Sequence, residues 1–471
     1  MTDLSKVLGR RATLDDIPDA ELDRLAASGF DWIWLLSVWQ TGKAARQVSL
    51  ANPEWRHEFE ETLPDLTDDD IGGSGFAITA YKVHTALGGD AALVRLRERL
   101  RKRDMRLLLD FVPNHVAPDH PWLTRHPDYF VHATLQDLAF APQNYCRMQT
   151  PDGPLVLAYG RDPYFPGWPD TLQLNYGNTA TQDALIGELL RISRQCDGVR
   201  CDMAMLVLND VFAQTWAERV DLLWRAPAAQ FWPDAIRRAP MTYLAEVYWD
   251  REYELQQQGF DYTYDKRLLD RLHHGNPSEA RGHLHADPAY GMRLARFLEN
   301  HDEARCAPTF GRRLPAAAAL TFTLPGLRFF FDGQFAGAEL RAPVQLGRWP
   351  DDPDRPDLRD FYARLLSAIN RPLFHDGTWS LLDVRGAGDP TFTDLIACAW
   401  RHGTDMAIVA ANITDHAAQG LVSVGDLPPG DAFELRDQLS DRSWRWTRAN
   451  LDSGLYVRLE SGAAHVFRVQ R

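Results

Sequence analysis

Four carboxylates in this chain stand where apolar runs end. The first opens Asp110-Phe111-Val112-Pro113-Asn114-His115, and the second closes Gly198-Val199-Arg200-Cys201-Asp202. The third lies in Leu244-Ala245-Glu246-Val247 and the fourth in Asn300-His301-Asp302-Glu303. A single carboxylate after a strand often does no more than cap the next helix. Four in equivalent positions, two of them with a histidine and one with an arginine two residues upstream, point to chemistry. Carboxylates converging from several strand ends suit cleavage of a glycosidic bond. That reaction needs one ionised nucleophile and one protonated acid, kept apart in acidity by their surroundings.

The elements that must position them are apolar runs alternating with amphipathic stretches. The runs are 31–39, 105–112, 196–202, 241–247, 294–300 and 327–331, with a weaker one at 259–263. Helical periodicity marks 90–103, 181–194, 209–224, 266–274 and 358–371. Strands apolar along their whole length, each followed by a helix, predict a buried parallel sheet. Alternation over this span predicts an α/β fold, a (β/α)8 TIM barrel, whose sites lie at the carboxyl ends of the strands. Residues 117–178 interrupt the alternation and are rich in Pro, Asp, Tyr and Trp. They read as a folded excursion after strand three. After Pro372 short β-forming runs separated by Gly and Asp turns predict an antiparallel β-sandwich. The predicted domains are a catalytic barrel from 1–116 and 179–372, the excursion at 117–178, and a C-terminal β domain at 373–471.

Composition bounds the partners. The 471 residues carry 51 Lys+Arg against 65 Asp+Glu, a net charge of −14. That excess opposes nucleic acid and anionic membranes as general partners. The basic run 95–106 keeps helical leucine spacing and reads as the solvated face of a barrel helix. The five cysteines lack zinc-site spacing, and scattered thiols suit a reducing compartment. The first residues hold no signal-like apolar run, and no stretch is long and apolar enough to span a bilayer. A cytoplasmic location is the expectation. The aromatic residues, Trp 15, Tyr 14 and Phe 22, supply core packing and also faces that stack on sugars.

Taken together, the four segments resemble the four signature regions of the α-amylase family of glycoside hydrolases, family 13. Their order and strand positions match, and Leu327–Gln334 is similar to the family's last strand. The resemblance implies a retaining glycoside hydrolase or transglycosylase cleaving α-glucosidic bonds in α-glucans or short oligosaccharides. Asp202 is implied as nucleophile, Glu246 as acid/base and Asp302 as transition-state stabiliser. Arg200 is implied to hold Asp202 ionised, His115 and His301 to bind sugar hydroxyls, and Asp110 to be a structural, hydrogen-bonding member. Retention implies carboxyls of Asp202 and Glu246 about 5–5.5 Å apart. The alternative is a non-catalytic member acting as a carbohydrate-binding or scaffold protein, which has no chemical need for all three carboxylates.

The chain departs from the family in four places. The polar residues 1–19 offer no apolar strand before the helix at 20–27, so the first barrel strand is unaccounted for. Phe76 in Gly75–Tyr81 stands where a stacking tyrosine is usual, and remains a substrate-binding candidate. Asn114 occupies a position that ligates structural calcium in many relatives. Thr171-Leu172-Gln173-Leu174-Asn175, however, lacks the usual acidic residue, so no cofactor is required and calcium is not favoured. Met203-Ala204-Met205-Leu206 replaces a polar pair common in polysaccharide-degrading relatives, which tilts toward short substrates, transfer or phosphorolysis. Trp122, Trp168 and Trp249 are candidate sugar platforms. The implied partner is an oligosaccharide or α-glucan, with no nucleic acid, no membrane and the oligomeric state left open.

Overall fold

The computed structural model describes residues 1–217 and 229–470. The chain divides into two compact units, Met1–Thr263 with Ala342–Pro350, and Tyr264–Arg341 with Asp351–Arg471.

The first unit is organised by parallel strands. β1 (Trp32–Trp34), β2 (Arg106–Phe111), β3 (Gly198–Cys201), β4 (Thr242–Ala245) and β5 (Tyr262–Tyr264) lie side by side in that order. All four residues of β3 are buried, as are five of the six in β2. A strand covered on both faces needs apolar residues throughout, which is why these runs show no alternation. Register sets the site: Arg200 of β3 pairs with Asp110 of β2 on one side and Leu244 of β4 on the other.

Upstream of β1 the described residues form the helix Thr2–Leu8, the turn Leu14–Asp16 and the helix Asp19–Ala27, and no strand. The sheet therefore begins at the run predicted as the second barrel strand. That run is also shorter than its apolar length suggests. Ser37 has φ 58 and its N–H donates to Asp110 Oδ2 at 2.8 Å. This turn ends β1, and Trp39–Thr41 pairs antiparallel with Ile78–Val83 instead.

The helix Gly89–Arg101 buries Ala92, Leu93, Leu96 and Leu100. The arginines around its outer face are matched by acids: Arg95 with Asp15 at 2.6 Å, Arg99 with Asp19 at 3.0 Å and Arg103 with Asp23 at 2.6 Å. The basic run is thus neutralised locally. The helix predicted over 209–224 runs from Asn209 to Trp216, and its remainder from 218 lies outside the described residues. Between β2 and β3, Tyr145–Thr150 and Gly153–Ala158 form a hairpin joined by His132–Ala133. His115–Val116 pairs with Leu172–Gln173.

The second unit contains parallel strands β6 (Leu294–Arg296) and β7 (Leu327–Arg328). The chain therefore holds seven strands of this type among its described residues, against the eight of a complete barrel. The helix Leu314–Thr323 is apolar and buried all round, as expected of a helix inside a core. Beyond it, six antiparallel strands from Thr378–Leu382 to Ala464–Gln470 face a three-stranded sheet. Leu395, Ile408, Leu435 and Phe467 from the larger sheet pack with Val422, Leu455 and Val457 from the smaller. This is a β-sandwich. Among the described residues no helix is long and apolar enough to cross a membrane.

Candidate active site

The carboxyl ends of β2, β3 and β4 bring three carboxylates onto one arginine. Arg200 is fully buried; its Nη1 lies 2.7 Å from Asp202 Oδ1 and 3.6 Å from Asp110 Oδ1. Its Nη2 lies 2.6 Å from Glu246 Oε2. Asp110, Asp202 and Glu246 are all buried. Taking such a cluster out of water costs several kcal/mol per ion before pairing offsets it, so a group of this kind marks function more than stability. Phe76 is buried here as well. The guanidinium of Arg200 sits 5.3 Å from its ring centre and 5.4 Å from that of Trp34, within cation–π range of both.

Glu246 is held more tightly than the sequence suggests. Tyr248 donates its hydroxyl to Oε1 at 2.9 Å, and the Met203 N–H donates to Oε2 at 2.7 Å. Met203 has φ 41, an uncommon conformation for a residue with a side chain. That turn folds the chain after Asp202 back against the end of β4, where Ala204 N–H also reaches Glu246 O at 2.9 Å. Tyr248, Trp34 and the Met203 amide escaped the sequence reading. Only the closeness of Tyr248 to Glu246 was a signal, since the other two contacts depend on loop geometry.

His115 follows β2 and is buried against Trp168, with ring centres 5.2 Å apart. Burial pushes its imidazole down to about 3, so it stays neutral and able to exchange hydrogen bonds with hydroxyls. Trp122 packs against His120 and Tyr129. Trp249 faces Tyr164.

His301 and Asp302 belong to the second unit, after β6. His301 Nε2 lies 3.0 Å from Asp302 Oδ2, and the Asp302 carboxylate is half exposed. Asn300 Oδ1 accepts from the amides of Asp302 and Glu303, both at 2.9 Å. The strand itself ends at Arg296, short of the apolar run predicted through Asn300, and the Asx turn follows it. Beneath it Glu299 pairs with Arg305 at 2.6 Å, both buried.

The residues around Asn114 do not fit calcium. Asn114 Oδ1 and its backbone oxygen accept from Gln173 Nε2 at 2.9 and 3.0 Å, and Leu174 O lies 3.1 Å from the same nitrogen. Calcium needs six to eight oxygens, several of them charged. Here an amide nitrogen takes up the oxygens, and among the described residues no cluster of three acidic, His or Cys side chains could hold a metal.

The chain is similar to known proteins. The family described as "Alpha amylase, catalytic domain" matches residues 19–156. An α-1,4-glucan:maltose-1-phosphate maltosyltransferase of Streptomyces coelicolor is 26% identical over 96% of this chain and 64% of its own length. Alpha-amylase 3 of Dictyoglomus thermophilum is 22% identical over 59% of this chain and 57% of its own length. The chain thus spans less than two thirds of the length of either relative. Among solved structures, the maltogenic α-amylase AmyB of Thermotoga neapolitana superposes with a TM-score of 0.69, at 18% identity over 96% of this chain and 93% of that one. An α-amylase from Lactobacillus plantarum gives a TM-score of 0.66, at 20% identity over 97% and 94%. The fold is that of the α-amylase barrels, and residues 19–156 match the catalytic-domain family of those enzymes.

Proposed function

We propose that the chain is a retaining enzyme acting on α-glucosidic bonds by double displacement. The observation that carries the reading is the buried Arg200, bound at once to Asp202 at 2.7 Å and to Glu246 at 2.6 Å. In the first step Asp202 Oδ attacks the anomeric carbon while the glycosidic C–O bond breaks. Glu246 gives its proton to the departing oxygen. In the second step water or a sugar hydroxyl attacks the same carbon, Glu246 takes the proton, and the ester bond to Asp202 breaks. Two inversions give net retention. Arg200 favours the ionised Asp202 through charge-assisted hydrogen bonding. Asp110 fixes the other side of the guanidinium. The neutral His115 suits a sugar hydroxyl, and Asp302, half exposed on its turn, is the transition-state partner that the family resemblance implies. Calcium is left out of the proposed site because Gln173 takes up the oxygens of Asn114.

Transfer in place of hydrolysis has support of its own. Relatives matched across 96% or more of the chain are named maltosyltransferases. The segment after Asp202, Ala204–Val207, is buried and apolar, with no side chain that could hold a polysaccharide on the leaving side. The test is incubation with maltose, sucrose, trehalose, isomaltose, starch and maltose-1-phosphate, with products and their anomers followed by NMR. Retained α-configured products from any of these support the reading. Inverted products refute retention, and no turnover of any substrate by a folded protein leaves the non-catalytic alternative.

A further inference from the structure

The second unit holds a cavity of about 410 Å³, and none of the strand-end carboxylates lines it. It lies between the chain that follows the helix Pro356–Ile369 and the six-stranded sheet of the C-terminal sandwich. On the sheet side Ala407 and Arg468 stand opposite each other. They face away from the sandwich core, because their neighbours Met406, Ile408 and Val469 lie in that core. Pockets for small molecules span roughly 300–1,000 Å³, so the cavity has room for an organic ligand and not only for an ion.

Its walls are fixed. The Phe374 carbonyl accepts from Arg328 at 3.0 Å, and its ring packs on Trp400 with centres 5.8 Å apart. Across from it, buried Asp437 accepts from the Val466 amide at 3.1 Å and the Ser440 hydroxyl at 2.7 Å. Leu373, Phe374 and Val466 are buried and make part of the lining apolar. The charged part is cationic: Arg371, His402 and Arg468 come from three segments, against one acid, Asp405. That acid is exposed and lies 4.0 Å from Arg468. Among the described residues the Arg371 side chain makes one hydrogen bond, a long one of 3.5 Å from Nε to Ser367 O. Arg436 stands directly opposite Arg468 on the neighbouring strand. Like charges facing each other across a strand pair are destabilising. In a chain of net charge −14, arginines gathered with so little acid beside them suit an anion that joins them.

We infer that this cavity binds a phosphate monoester whose body is one or two rings in size. The guanidinium fork matches phosphate oxygens, and Arg is the side chain suited to that anion. A phosphate monoester offers three acceptor oxygens to cations arriving from separate segments, where a carboxylate offers two. The apolar lining from Leu373, Phe374 and Val466 takes the uncharged body. The site is independent of the catalysis proposed above, so either can fail without the other.

The test is calorimetric titration of the full chain with glucose 1-phosphate, adenosine 5′-monophosphate and inorganic phosphate. At least one ester is expected to bind, about tenfold or more tighter than inorganic phosphate. Which ester binds tells whether the body is a sugar or a nucleoside. Arg371→Ala and Arg468→Ala should each weaken that ester by about tenfold or more. Neither arginine has a close acid partner, so the ligand-free variants should melt with the wild type, while the ester raises the melting temperature of the wild type alone. If an alanine variant fails to fold, Arg371→Lys and Arg468→Lys keep the charge and should still bind the ester severalfold more weakly, for want of the fork. No binding of either ester at millimolar concentration overturns the inference. So does an ester that the variants bind as tightly as the wild type, because it then sits elsewhere. Inorganic phosphate bound as tightly as the esters also overturns it, because the cavity then reads no body.

Discussion

Arg200 is the side chain on which the most depends. It is fully buried and serves three carboxylates, and its presence two residues before Asp202 is visible in the sequence. Lysine keeps the charge but loses the fork that reaches Asp202 and Glu246 together. Arg200→Lys is therefore expected to lower kcat by about a hundredfold or more. Arg200→Ala should also destabilise the fold by about 3–5 kcal/mol, read by denaturant unfolding, because it leaves buried carboxylates unpaired. Tyr248 was not predicted from the sequence as part of the site. Its hydroxyl is one of three donors to Glu246, so Tyr248→Phe should cut kcat/KM by roughly ten- to a hundredfold without changing the melting temperature much. A variant indistinguishable from wild type would remove Tyr248 from the site.

Asp170 offers a pH prediction at the same scale. It is 4% exposed, and burial pushes its carboxyl up to about 6 from an ordinary 3.8. A raised acid in the folded state favours folding while protonated. The penalty is absent below about pH 4, grows as pH rises to about 6, and is full above that, at about 3 kcal/mol. Asp170→Asn should therefore raise the melting temperature at pH 7.5 and leave it nearly unchanged at pH 4. An equal gain at both values would show that titration of Asp170 is not the cause.

Elements were legible where periodicity and burial agree. The helix Lys266–His274 falls where its pattern predicts. β2, β3 and β4 fall inside their apolar runs because both faces of each strand are covered. The misses are strand ends. Ser37 turns the chain to reach Asp110, Asn300 turns it to cap two amides, and the strands before these turns stop short of their apolar runs. Those turns are made by polar side chains whose partners are distant or only two to three residues away, and hydrophobic patterning does not see them. Gln173 is the clearest case of one side chain setting an element. Its amide ties Asn114 to Leu174 beside the pair His115–Val116 and Leu172–Gln173. Added calcium or chelator should leave the wild-type melting temperature within about a degree, and Gln173→Ala should cost roughly 1–3 kcal/mol by leaving buried oxygens unsatisfied. A large calcium-dependent rise in the wild type would contradict this.

For the whole molecule, the order of elements and the sandwich at the C-terminal end followed from alternation and turn spacing. The absence of an apolar strand before Asp19 also has its counterpart in the structure, where a helix and a turn occupy that stretch. What the sequence could not provide was the convergence of distant segments. Tyr164 and Trp249 are far apart along the chain, and only the fold makes them one surface. The net charge of −14 likewise acquires a local meaning, since acids such as Asp15, Asp19 and Asp23 neutralise the arginine-rich helix.

The most direct test of the central claim is mass spectrometry of Glu246→Gln incubated with α-maltosyl fluoride. Fluoride departs without help from an acid, while the missing base slows the second step. The expected product is a protein heavier by one maltosyl group, with the sugar on the peptide that contains Asp202. Release of fluoride with no adduct, or an adduct on another residue, would contradict it.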